Sequence, residues 1–141
     1  MYYSKGGYKY RVEQEPVILQ STVMPAELLE TQYFTLDTTG QLTLLVGYAC
    51  DGPSGPTLDM IFPWLYKKLI VPACGHDALY QSGRNGWIPP EARILADQDL
   101  QHWCLDRKMA EFRANIIYRG VRDSAGFAFE PKHKRKIYFV P

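Results

Sequence analysis

The stretch Cys50-Asp51-Gly52-Pro53-Ser54-Gly55-Pro56 divides the chain into two unlike halves. Two glycines and two prolines fall within the five residues from Gly52 to Pro56. Glycine frees the backbone, while proline fixes φ and removes an amide donor, so a loop over 48–57 is predicted here. Upstream, the pattern is one of strands. Leu42-Thr43-Leu44-Leu45-Val46 is dense in apolar and β-prone residues and reads as a buried strand. Its hairpin partner is Tyr33-Phe34-Thr35-Leu36-Asp37, joined through Thr38-Thr39-Gly40, where Gly40 supplies the positive φ of a short loop. Tyr8-Lys9-Tyr10-Arg11-Val12 alternates, and Val17-Ile18-Leu19 is a short apolar run. Between them and the hairpin, Met24-Pro25-Ala26-Glu27-Leu28-Leu29 predicts a helical turn, because proline suits a first helical position.

Downstream, the pattern is one of helices. A helix is predicted over 73–80, ended by Gly83, Asn85 and Gly86. Pro89-Pro90-Glu91 opens a second, running to about Arg107, with Ala96, Leu100, Trp103 and Cys104 as its apolar stripe. Ala110, Ala114, Ile117, Tyr118 and Val121 recur at helical spacing and predict a third over 110–124, with Gly126 as its stop. The basic run Pro131-Lys132-His133-Lys134-Arg135-Lys136 reads as a solvated tail before a last strand over 137–140. Strands first and helices second predict an α+β fold: N-terminal antiparallel strands packed against a C-terminal three-helix layer, in one domain over 1–141.

Composition narrows the function classes. The 141 residues are 46% hydrophobic and 22% charged, which is globular composition. Sixteen Lys and Arg against fifteen Asp and Glu leave a net charge of +1, so no nucleic-acid partner is expected. The apolar runs at 44–46 and 61–65 are too short to span a bilayer, so no transmembrane segment is expected. Met1-Tyr2-Tyr3-Ser4-Lys5-Gly6-Gly7 has no apolar export core, and the expectation is synthesis in a cytoplasm. Cys50, Cys74 and Cys104 are odd in number, widely spaced and without a CxxC pair, and they read as reduced, core-filling thiols.

Three segments carry candidate chemistry. His76 and Asp77 are adjacent on a helix, so they point about 100° apart and serve different neighbours. Tyr80 lies one turn on and can flank either. If the second helix packs antiparallel, Asp97 reaches His76; a carboxylate on one ring nitrogen fixes the tautomer and leaves the other for a water or a metal. Arg93 shares the face of Asp97. In the loop, backbone carbonyls with Asp51 or Asp77 are hard oxygen ligands, suited to calcium first and to magnesium also, with zinc as an alternative. Amide groups of Gly52, Ser54 and Gly55 suit an anion or an oxyanion. The candidate roles are therefore His76 and Asp97 as catalytic pair, Asp77 and Asp51 as cation ligands, Gly52, Ser54 and Gly55 as substrate loop, and Tyr80 and Arg93 in support. Ser54 lacks a G-x-S-x-G elbow and reads as a turn residue, and His102 and His133 stand in no motif.

These same residues carry a resemblance. The acidic Gly/Pro loop, then His76-Asp77-Ala78-Leu79-Tyr80-Gln81, then Arg93 with Ala96-Asp97, then Arg113-Ala114, Tyr118 and Val121-Arg122 resemble the phage and prophage family catalogued as domain of unknown function 1353. The match covers about 47–126. It implies a phage gene product, made in the host cytoplasm and in some settings virion-associated, with other phage proteins or a host factor as partners. More weakly, the loop followed by His-Asp-x-x-Tyr is similar to the secreted calcium-dependent phospholipases of the A type. That likeness implies calcium held by the loop and Asp77, water activated by His76, and His76 oriented by Asp97; Ala78 departs from it, standing where a cysteine flanks the pair. Two readings result. One is a metal-assisted hydrolase of a lipid ester, cell-wall or peptide bond. The other is a non-enzymatic virion, tail or assembly protein in which the same charges form a structural network. An open His76 favours the first, and an enclosed, fully paired one the second.

Overall fold

The computed structural model describes residues 2–3, 10–50 and 63–130. Seven short strands come first: β1 (Tyr2–Tyr3), β2 (Tyr10–Arg11), β3 (Val17–Gln20), β4 (Leu29–Glu30), β5 (Phe34–Leu36), β6 (Gln41–Leu44) and β7 (Ala49–Cys50). They form two antiparallel sheets, ordered β1-β2-β7 and β3-β6-β5-β4. Four helices follow: α1 (Pro63–Arg84), α2 (Ala92–Asp106), α3 (Glu111–Ser124) and the single turn α4 (Gly126–Phe129). The fold is α+β, with the strands packed against α1, α2 and α3.

The hairpin forms as its pattern dictates. Leu36 pairs with Leu42 and Phe34 with Leu44, all four buried, while Thr35 and Thr43 alternate to the other face. Asp37 closes the turn, its Oδ1 accepting from the amides of Thr39 and Gln41 at 2.9 Å each. Gly40 has φ +86°, and a Cβ there would run into the Ser21 carbonyl oxygen.

Contacts between α1 and α2 run in opposite chain order, which makes the two helices antiparallel. Lys68 Nζ bonds the Lys108 carbonyl oxygen at 2.9 Å, Gly75 faces Trp103, His76 meets Asp97 and Arg93 meets Tyr80. Hydrogen bonds tie the sheets to this pair at three places. The Trp103 indole donates to the Gln20 carbonyl at 2.9 Å, and the Tyr48 hydroxyl to the Cys74 carbonyl at 3.0 Å. Asp99 on α2 accepts from the Thr22 hydroxyl at 2.7 Å, from the Thr22 amide and from the Ser21 hydroxyl.

Several expectations change. No helical turn forms at 24–29: Val23 is buried, its neighbours Ser21 and Thr22 are held on Asp99, and the chain runs on to strand β4. Tertiary anchoring overrides the Pro25 signal there. Helix α1 is far longer than 73–80. It runs through Pro72 and Gly83, because Leu69, Ala73, Cys74, Ala78 and Leu79 are buried around it and outweigh the lost amide of Pro72. Ala49–Cys50 is strand rather than loop. Gly126 opens α4 as well as following α3. Gly75 permits a close approach within α1: a Cβ there would lie 2.5 Å from Leu19 Cδ1 and 2.9 Å from Trp103 Cζ3. Cys50 and Cys74 are joined as a disulfide, with Cα atoms 5.8 Å apart, and Cys104 remains a buried thiol. The odd count and wide spacing hid this pair, because spacing carries no information on which distant cysteines the fold brings together. The expected strand over 137–140, the basic tail and the loop residues 51–57 lie outside the described residues. Among the described residues, no helix is long and apolar enough to cross a membrane.

Candidate functional site: a buried carboxylate shared by three helices

Asp97 is 0% exposed and sits where α1, α2 and α3 converge. Its Oδ1 lies 2.7 Å from His76 Nε2 and accepts from the Tyr80 hydroxyl at 2.7 Å. Its Oδ2 accepts from Arg122 Nη1 at 2.8 Å, with Arg93 Nε 3.8 Å away. His76 and Tyr80 come from the same face of α1, one turn apart, so one carboxylate oxygen can meet both. Their rings meet at a tilt of 38°, with centroids 4.2 Å apart.

Arg93 links this cluster to the end of α3. Its Nε donates to the Tyr80 oxygen at 3.1 Å, and its Nη2 to the carbonyls of Val121 and Arg122 at 2.8 and 2.9 Å. Those carbonyls belong to the last turn of α3, where backbone donors run out; the Val121 carbonyl also accepts from the Ala125 amide at 3.1 Å. Beside Arg93 is a recess of about 230 Å³, lined by Gly83, Pro90, Gly126, Phe129 and Glu130 as well.

The electrostatics follow from these contacts. Burial alone would raise the Asp97 carboxyl, but the hydrogen bonds from His76, Tyr80 and Arg122 outweigh it and hold the pKa below the usual value. Tyr80 is pushed the other way, first by burial and then by its bond to Asp97, and stays a phenol. An ionised Asp97 accepting at Oδ1 requires the proton on His76 Nε2. Nδ1 then carries the lone pair. Among the described residues nothing hydrogen-bonds Nδ1, and 8% of the His76 side-chain surface is open. The arrangement can therefore hold an oriented, neutral imidazole and stabilise it once protonated.

The expected site residues divide accordingly. His76, Asp97, Tyr80 and Arg93 come together. Asp77 lies on the exposed side of α1 and outside the cluster. Asp51, Gly52, Ser54 and Gly55 lie outside the described residues. Among the described residues, no three His, Cys, Asp or Glu side chains are grouped to hold a metal ion. Arg122 was not among the expected residues. Its signal was its place beside Val121 at the edge of the buried stripe of α3, where a cation can turn inward. Asp99 was missed too; its partners Ser21 and Thr22 are 78 and 77 residues distant. The chain finds no match among family profiles, curated proteins or solved structures.

Proposed function

We propose that the chain is a phage- or prophage-encoded hydrolase of an ester or amide carbonyl, with His76 as general base and Asp97 as its positioning residue. One observation carries this reading: Asp97 holds His76 by Nε2 at 2.7 Å and leaves Nδ1 with no hydrogen bond among the described residues. Nδ1 takes a proton from water, the hydroxide attacks the carbonyl carbon, and Asp97 stabilises the imidazolium until the proton passes to the leaving group. Tyr80 and Arg122 keep Asp97 ionised and fixed. The resemblance to the phage family supplies the setting, and the likeness to calcium-dependent phospholipases points to lipid esters as the first substrates to try. A divalent cation, calcium first, enters the proposal through Asp77 and backbone oxygens. The described residues do not by themselves form its site, so no step here depends on it.

The test is hydrolysis of phospholipid vesicles, peptidoglycan and a peptide library, with and without calcium, magnesium and zinc. Wild type turns over one class, His76→Ala loses at least 100-fold while remaining folded, and Asp77→Asn removes any dependence on the cation. Equal turnover by His76→Ala would overturn the assignment.

A second reading has its own observation. His76 is only 6% exposed, and Asp97 takes donors from α1 and α3 while sitting on α2. This supports a virion, tail or assembly protein in which the cluster pins three helices. No turnover of any class, with a sharp loss of stability in both His76→Ala and Asp97→Asn, would favour it.

A further inference from the structure

We infer that the Cys50–Cys74 bridge is a redox-controlled lock of the sheet onto the helix that carries His76. Among the described residues, strand β7 is held to its sheet by two residue pairs, Tyr10 with Cys50 and Arg11 with Ala49. Cys74 lies on α1 two residues before His76, and its carbonyl accepts from Tyr48, two residues before Cys50. The two chain segments are thus also joined by a hydrogen bond beside the bridge, and the Cα atoms lie 5.8 Å apart, inside the span a disulfide bridges. Both cysteines are buried, at 4% and 0% exposure, so exchange at the bridge is slow and requires local opening of the fold.

The pairing is unambiguous. Cys104 sits in a separate apolar cluster with Leu69, Leu100 and Met109, and burial pushes its thiol up to about 12, which removes it as a competing thiolate. Closure by exchange balances as two thiols plus one small-molecule disulfide giving the protein disulfide and two small thiols. In a reducing cytoplasm the pair stays open, and it closes on reaching oxidising surroundings. The bridge spans 24 residues of separation, so opening it restores the freedom of a long loop and loosens β7 against α1. This inference does not depend on the hydrolase reading.

The experiment counts thiols and follows thermal unfolding of the full chain. Protein equilibrated with an oxidised glutathione buffer and then denatured should expose one reactive thiol per chain, assigned by peptide mass to Cys104. After dithiothreitol it should expose three. Reduction should lower Tm on the order of 10 °C. The double variant Cys50→Ala/Cys74→Ala should be insensitive to reductant and melt near the reduced wild type. Three thiols after oxidative equilibration, or one Tm in both redox states, would overturn the inference. If the double variant does not fold, the thiol count and Tm of wild type decide alone.

Discussion

Helix α2 carries two buried carboxylates two residues apart, and they live in opposite electrostatic worlds. Asp97 is 0% exposed and Asp99 1%. Asp97 faces the other helices and is met by His76, Tyr80 and Arg122. Asp99 faces the sheet and is met by two hydroxyls and an amide, from Ser21 and Thr22. Burial raises both. The bonds from His76, Tyr80 and Arg122 reverse that at Asp97, while the bonds from Ser21 and Thr22 and the charge of His102 only soften it at Asp99, whose pKa stays above the usual value. Depth alone therefore does not set the protonation state of a buried acid; the donors that meet it decide. Asp97 is built to remain an anion beside an imidazole. Asp99 is built to hold a strand end to a helix.

The largest effect that breaks this contrast is Asp97→Ala. It leaves Arg122 and Tyr80 facing a void inside the helix layer, and should cost about 3–5 kcal/mol in urea unfolding. Asp99→Asn should cost on the order of 1 kcal/mol, since an amide keeps an acceptor for Thr22 and the Ser21 hydroxyl can rotate to accept. Equal losses in the two variants would erase the distinction.

Gly75→Ala comes between them, at about 1–3 kcal/mol, because its Cβ must displace Leu19 and Trp103. It perturbs α1 one residue from His76 without touching either acid. Its unfolding should therefore keep the pH dependence of wild type.

The smallest effect is also the sharpest. Asp97 has a lowered folded pKa, so its contribution is complete above the unfolded value near 3.8 and drains away as pH falls through the folded one. Asp99 has a raised folded pKa, so the native state takes up its proton first. Its ionised form is a penalty above that pKa, relieved as pH falls towards 3.8. Urea unfolding from pH 7 to pH 3 should show a shallower acid loss in Asp97→Asn and a steeper one in Asp99→Asn than in wild type. Slopes unchanged in both would contradict the assigned directions.

How much of this was legible in the sequence follows from the range over which each signal acts. The 33–44 hairpin was readable because alternation and the Gly40 turn are local. The apolar stripe of α2 was readable for the same reason, and with it the antiparallel meeting of His76 and Asp97 across a short connection. The early start of α1 was not, because a helix that runs through Pro72 is legible only once the packing of Leu69 and Cys74 is known. The Cys50–Cys74 bridge and the Asp99 anchor were invisible for a deeper reason. Each joins the strand half to the helical half, and such pairings leave no periodic trace in either.

The measurement that tests the account most directly is carbethoxylation of the native protein by diethyl pyrocarbonate near pH 7, mapped by peptide mass. The reagent acylates a neutral imidazole nitrogen that has a lone pair and can be reached. His102 is exposed and serves as the internal standard. A general base with a free Nδ1 predicts that His76 is modified within about tenfold of the rate of His102, with hydrolysis lost in step. A His76 that stays unmodified until the protein unfolds would contradict it and leave the Asp97 cluster as scaffold.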